Sequence, residues 1–283
     1  MNKRTGKQVN NSITSKTKTM TTHTKAEVIL SVQNVNLSYA GKQVLHNVSF
    51  EIKNIVRPGV NQGQVVSLIG RSGIGKTQLF KLLSGLQKPT SGRIMIHETK
   101  EVQPGDMGVI FQNYYLFEWR TIHQSLWLAA KQNKALRGGE KEAIAHYTNH
   151  FELAEHLQKY PQQLSGGQRQ RASIIQQLLK GSDFLLLDEP FSGLDVCVLD
   201  RVVNLLLDVS LSDELKTLVI VSHDIATSIA ISDTVFILGK TEGEEGATIK
   251  KEIDLIERGL AWDKDSRQQQ AFADTVAEIK SCL

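Results

Sequence analysis

The chain has 283 residues, 40% apolar and 22% charged, a composition that suits one large globular domain or a domain with an embedded subdomain. Its formal net charge of +3 is unevenly spread: Lys3, Arg4, Lys7, Lys16, Lys18 and Lys25 all precede the first acidic residue, Glu27, and the remainder is mildly acidic, which argues against a broad nucleic-acid face. No stretch approaches the roughly 18 apolar residues that span a bilayer, and the basic N-terminus lacks the apolar segment of a secretory signal. Cys197 and Cys282 form no spacing pattern and fit free thiols in a reducing cytosol.

Residues 1–26 are rich in Ser, Thr, Asn and Lys and nearly devoid of large apolar side chains, so burial cannot offset their ordering entropy and a disordered basic tail is expected. From Val28 to Ile52 apolar and polar residues alternate on either side of Ala40-Gly41-Lys42, which predicts antiparallel strands joined by a turn. Residues 53–64, with Pro58, Gly59 and Gly63, read as a surface loop without a functional assignment. Residues 65–69 form an apolar strand that enters a glycine-rich turn, followed by a helix carrying Leu79, Phe80, Leu82 and Leu83. Short strands are expected at 93–96 and 108–111. Helical character then runs from about 121 to 181, broken near Gly138-Gly139 and at Pro161, and suggests a helical subdomain over about 113–181. Apolar β-type runs at 184–187, 217–221 and 234–238, separated by helices at about 196–211 and 224–231, imply right-handed crossovers and a mostly parallel sheet. Residues 241–283 read as the end of a polar loop and a C-terminal helix near 267–279.

Three motifs carry chemistry. Gly70-Arg71-Ser72-Gly73-Ile74-Gly75-Lys76-Thr77 satisfies G-x-x-x-x-G-K-[ST] between a strand and a helix, where glycines let several N–H groups converge on phosphate oxygens and the helix start adds its positive dipole end. Lys76 is expected at the β- and γ-phosphates of ATP and Thr77 on Mg²⁺. The run 184–189 is an apolar strand ending in two carboxylates at the ligand-binding edge of a parallel sheet, with Asp188 expected to hold Mg²⁺ and Glu189 to align or deprotonate water. Ser165-Gly166-Gly167-Gln168 reads as a helix N-cap with an anion nest.

In this order, and with Tyr160 through Arg171 leading to Asp188-Glu189-Pro190, these motifs resemble the ATP-binding cassettes of ABC transporters. The resemblance covers about Val28 to Leu238 and implies a domain over 27–240. It implies a P-loop NTPase α/β core with a mostly parallel sheet, an N-terminal antiparallel β subdomain and an inserted helical subdomain. It further implies that Tyr39 stacks on adenine, that Gln78 lines the nucleotide, that Gln112 senses Mg²⁺ and water, that Asp195 crosses a dimer interface and that His223 contacts the γ-phosphate. In this family Ser165, Gly166, Gly167 and Gln168 complete the phosphate site of another subunit. The partners implied are a second cassette, most simply an identical one, transmembrane permease subunits and a substrate-binding protein, with the cassette cytoplasmic and peripheral on the inner face of the cell membrane. Phe117-Glu118-Trp119-Arg120, where the family docks its permease, resembles importers of nitrate, sulfonate and taurine. Alternatives are a cassette of a lipid or export system, a non-transport ABC ATPase and an inactive regulatory cassette.

Overall fold

The structure, a computed structural model, describes residues 23–57, 62–192, 202–204, 206, 209, 216–261 and 265–283. The tail as far as residue 22, Asp195, Cys197 and most of the helix expected over 196–211 lie outside the described residues.

Strands β1 (Thr24–Tyr39) and β2 (Lys42–Val56) form a long antiparallel hairpin. It turns at Ala40 and Gly41, whose φ values of 47° and 81° lie in the left-handed region that a two-residue turn needs to match the right-handed twist of its strands. Alternation buries Val35 and Leu37 against Leu45, Val48 and Phe50. Two sequence expectations need correction here. The tail was expected to run through Ala26, but β1 begins at Thr24, with Thr24 opposite Val56 and Lys25 opposite Ile55. Backbone pairing needs no apolar side chain, and Lys25 meets Asp254 at 2.9 Å, so composition misplaces this boundary. For the same reason residues 53–56, expected as loop, continue β2. Arg57 beyond them forms a buried ion pair with Asp233 and donates to the Gly63 carbonyl at 3.1 Å, while Asp233 also accepts the Val65 N–H at 2.8 Å.

Strand β3 (Gln64–Gly70) is buried along its whole length, as a strand flanked by parallel neighbours and covered on both faces must be. Strands β4 (Ser91–Ile96), β5 (Lys100–Glu101) and β6 (Gly108–Ile110) follow helix α1 (Lys76–Leu83), and β7 (Phe184–Asp188), β8 (Thr217–Ser222), β9 (Thr234–Lys240) and β10 (Ala247–Asp254) complete one ten-stranded sheet among the described residues. Its order is β5-β4-β1-β2-β10-β9-β3-β8-β7-β6, parallel from β9 to β6. Sequence reading passed over β10 because Lys250, Lys251 and Glu252 interrupt its apolar pattern. It pairs antiparallel with β9 and touches β2 through Ala247 and Leu45, and so joins the antiparallel part to the parallel part.

Helices α2 (Ile122–Gln132), α3 (Glu140–His150) and α4 (Gly166–Lys180) pack over one side of the sheet through Leu126, Ile144, Ile174 and Leu178, against Leu185, Leu187 and Ile220. Helices α5 (Ile225–Ile231) and α6 (Gln270–Cys282) pack against Ile69, Val235 and Ile237. The expected last helix begins three residues late because a 3-10 turn occupies Ser266–Gln268. The register sets Ile69 of β3 beside Ser222 of β8, and Asp188 of β7 beside Val221, so three strand ends meet at one sheet edge.

Candidate nucleotide-binding site

Gly70 ends β3 in a tight place: a Cβ there would lie 2.9 Å from the Leu238 carbonyl oxygen and from Ile74 Cγ2. Gly73 and Gly75 take φ values of 77° and 116°, open to glycine and strained for other residues, and they turn the chain into α1. The Ile74 N–H donates to the Arg71 carbonyl at 3.3 Å and closes the loop. Lys76, the first residue of α1, is buried; its ammonium donates to the carbonyls of Gly70 at 2.9 Å and Arg71 at 3.1 Å. It also lies 3.3 Å from Glu189 Oε1.

Glu189 follows the last residue of β7. Its N–H donates to the Val221 carbonyl at 2.8 Å, and its φ of 49° turns the chain out of the strand. The carboxylate thereby spans Lys76 on one oxygen and His223 on the other, with His223 Nδ1 2.7 Å from Oε2 and the His223 N–H donating to the same oxygen at 3.3 Å. Three residues remote in sequence are locked together at the mouth of the glycine loop.

Asp188 sits one residue back and is 9% exposed. Burial, and then repulsion from Glu189, raise its carboxyl above the ordinary carboxylate range in spite of Lys76 and Lys81. Its Oδ1 is buried without a hydrogen-bond partner among the described residues. A carboxylate so placed is short of positive charge, which a cation would supply.

An open cleft of about 500 Å³ lies over this arrangement. Ser72, Gly73, Gly75, Lys76, Thr77 and Gln78 line it together with Tyr39, Val44, Gln112, Glu189, Ser192 and His223. Tyr39 is 47% exposed, and its hydroxyl donates to Gln78 Oε1 at 2.8 Å while accepting from Gln87 Nε2 at 2.6 Å. Sequence reading missed Val44, whose Cγ1 would lie 3.2 Å from a Cβ on Gly75; nothing in the local pattern marks a strand residue as a cleft wall.

The structure does not bring the Ser165 motif to this cleft. Ser165 caps α4, its hydroxyl accepting the Gln168 N–H at 3.3 Å while Gln168 Oε1 accepts the Ser165 N–H at 3.0 Å. Gly166 and Gly167 are exposed, and a Cβ on either would meet nothing within 4 Å among the described residues. Asp195 lies outside the described residues.

Comparison with known proteins agrees with this geometry. Residues 53–192 match the ABC transporter family model. The chain is 36% identical over 214 residues to an uncharacterized ABC transporter ATP-binding protein of Bacillus subtilis, covering 75% of this chain and 80% of that one. It is 30% identical to a nitrate import ATP-binding protein of Synechocystis, covering 86% and 87%. A cassette protein from Clostridium perfringens, part of an ABC transporter complex, superposes with a TM-score of 0.68 at 23% identity over 90% of this chain and 99% of that one, which speaks for the fold alone. With a glycine loop, two carboxylates and a histidine converging on one cleft, and with relatives that match over most of their length, this chain belongs to the ABC transporter family as one of its ATP-binding, ATP-hydrolysing subunits.

Proposed function

We propose that the chain energises import of a small anion, such as nitrate, as a cassette that closes head to tail on a second copy beneath separate permease subunits. The observation that carries the catalytic part is the Lys76–Glu189–His223 cluster at the mouth of the Gly70–Thr77 loop. Arriving phosphates would draw the Lys76 ammonium, and the loop N–H groups would take up their oxygens. Glu189, released from Lys76 and still held by His223, would then accept a proton from the attacking water, and the His223 imidazole, which lines the same cleft, would bond the γ-phosphate.

The donor set fits Mg²⁺: the orphaned Asp188 Oδ1, the Thr77 hydroxyl and the Gln112 carboxamide are hard oxygen donors, and phosphate oxygens would complete the shell. When bound, the ion would neutralise charge building on the phosphates. Tyr39 offers an exposed ring for adenine beside Gln78.

The dimer reading rests on Gly166 and Gly167. Glycine within the first turn of a helix costs stability, and no contact among the described residues calls for it at either position. Space kept clear on an exposed helix start suits a phosphate group brought by another subunit. Asp195 would lie at that interface, and a substrate-binding protein would deliver the anion to the permease. No helix among the described residues is long and apolar enough to cross a membrane, so a permease would supply the pathway and hold the cassette on the inner face of the membrane. Exposed Trp119 beside Phe117 is a suitable aromatic anchor for it. The Synechocystis relative, named for nitrate import, supports the choice of anion.

Light scattering on Glu189→Gln with Mg-ATP tests the motor: a nucleotide-trapped dimer beside a hydrolysing wild type is expected, and monomers with no hydrolysis in either would overturn it. ATP-dependent uptake of labelled nitrate into vesicles holding the cassette with its permease and binding protein tests the substrate.

A further inference from the structure

The segment after β6 that exposes Trp119 is fastened to the start of α4 by one side chain. Glu118 lies between Phe117 and Trp119, whose rings stand 5.5 Å apart, and Trp119 is 73% exposed. The Glu118 carboxylate forms an ion pair with Arg169 at 2.5 Å, and the Glu118 carbonyl accepts Gln162 Nε2 at 3.1 Å. Arg169 follows Gln168 directly, and its own N–H donates to the Ser165 carbonyl at 2.9 Å, the first helical hydrogen bond of α4. Gln168 is meanwhile held from the other side by His156, with Nε2 of each 2.8 Å apart. The turn that presents Ser165, Gly166 and Gly167 is therefore gripped by two side chains from outside α4, and one of them belongs to the exposed aromatic segment.

We infer that Glu118 is a positioning residue: through Arg169 it sets the first turn of α4 and with it the placement of the Ser165 motif. The inference rests on the cassette reading above. Among the described residues Glu118 Oε2 and Arg169 Nε are buried without partners of their own, so the pair supplies the principal polar contact seen for either head group. Removing one member leaves the other's charge poorly compensated. Both side chains retain some solvent contact, at 42% and 32% exposure, which limits the size of the effect. Glu118 does not line the nucleotide cleft. Its loss is therefore expected to act on closure of the cassette and not on nucleotide capture.

Four full-length proteins test this: wild type, Glu118→Arg, Arg169→Glu and the double exchange, each assayed for ATP hydrolysis and for binding of a non-hydrolysable ATP analogue. Each single variant is expected to lose about three- to fivefold in kcat, with the analogue Kd within about twofold of wild type, and the double exchange to regain most of the loss. A loss of folding would weaken analogue binding as well, which separates positioning from damage. Unchanged kcat in both single variants, or a double exchange no better than either, would overturn the inference. A wild type that neither binds the analogue nor hydrolyses ATP would sink the cassette reading itself, and the inference with it.

Discussion

Two glycines of the phosphate loop, Gly70 and Gly75, sit in surroundings opposite to those of Gly166 and Gly167, while Gly73 is open but left-handed, with a φ of 77°. Gly70 is pressed against Leu238 and Ile74, and Gly75 combines a φ of 116° with Leu45 and Val44 side chains 3.1 and 3.2 Å from where a Cβ would stand. Gly166 and Gly167 have ordinary helical surroundings and empty space. The first pair is explained by the fold of this chain, since a side chain there has nowhere to go. For the second pair the described residues supply no such steric reason, and the proposed dimer would supply one. The contrast separates glycines that the packing of this chain requires from glycines that the proposed dimer would require.

The largest effect expected is chemical. Glu189→Gln keeps the size of the side chain and removes its charge, and hydrolysis should fall by about 10²–10⁴-fold while ATP binding persists; a variant that still turns over at near wild-type rate would move the catalytic carboxylate elsewhere.

Two glycine substitutions test the contrast directly. Gly75→Ala should destabilise the nucleotide-free protein by about 1–3 kcal/mol, through the left-handed φ and the crowded Cβ, in a denaturant titration. Gly167→Ala should stabilise it by about 0.5–1 kcal/mol, because alanine is the better helix residue, yet lower hydrolysis by about tenfold or more. If both shift stability in the same direction, or if Gly167→Ala hydrolyses normally, the distinction between the two sites is lost.

Asp188→Asn sharpens the account of the metal-facing carboxylate. Burial and Glu189 raise the folded-state value of this group, so the folded protein holds its proton to higher pH than the unfolded chain does, and stability declines as pH rises through the folded value. Asparagine removes that decline. The variant should melt higher than wild type at pH 8, with the gain shrinking to nothing as pH falls toward the unfolded value of about 4, and Mg²⁺-dependent hydrolysis should be lost. A lower melting temperature at pH 8 would contradict the picture of an uncompensated charge.

The smallest effect lies far from the cleft. Glu278 on α6 is held by Arg258 at 2.7 Å and Lys251 at 2.5 Å, and these partners pull its carboxyl down to about 2. A lowered folded value gives stability that is fully present above the ordinary 4.5 and is lost as pH falls toward about 2. Glu278→Gln should cost about 0.5–1 kcal/mol at pH 7 with hydrolysis untouched, and the difference should close across that acid range. Loss of ATPase activity in this variant would mean that α6 is coupled to the cleft.

Much of the cleft was legible because its parts are local. The eight residues from Gly70 to Thr77 carry their own backbone demands, and the Ser165 N-cap, which lies outside the cleft, was legible for the same reason, since it spans a single helical turn. Apolar runs likewise announced β3, β7, β8 and β9 before any partner was known. Strand β10 was not legible, since an alternation broken by Lys250, Lys251 and Glu252 looks like loop until β9 is there to accept its hydrogen bonds. Arg57 and Asp233 were missed as well, for a charged residue beside a loop gives no sign of the buried partner waiting on another strand.

By itself the amino-acid sequence determined the kind of chemistry, through short stretches whose conformations depend on near neighbours. Tertiary structure alone decided that the Lys76 ammonium rests on Glu189, that His223 takes the opposite oxygen, that Asp188 is left with a buried unpaired oxygen, and that Glu118 reaches Arg169. Such contacts depend on strand order, register and the packing of α4 over the sheet, which arise from burying many side chains at once and are written in no single segment.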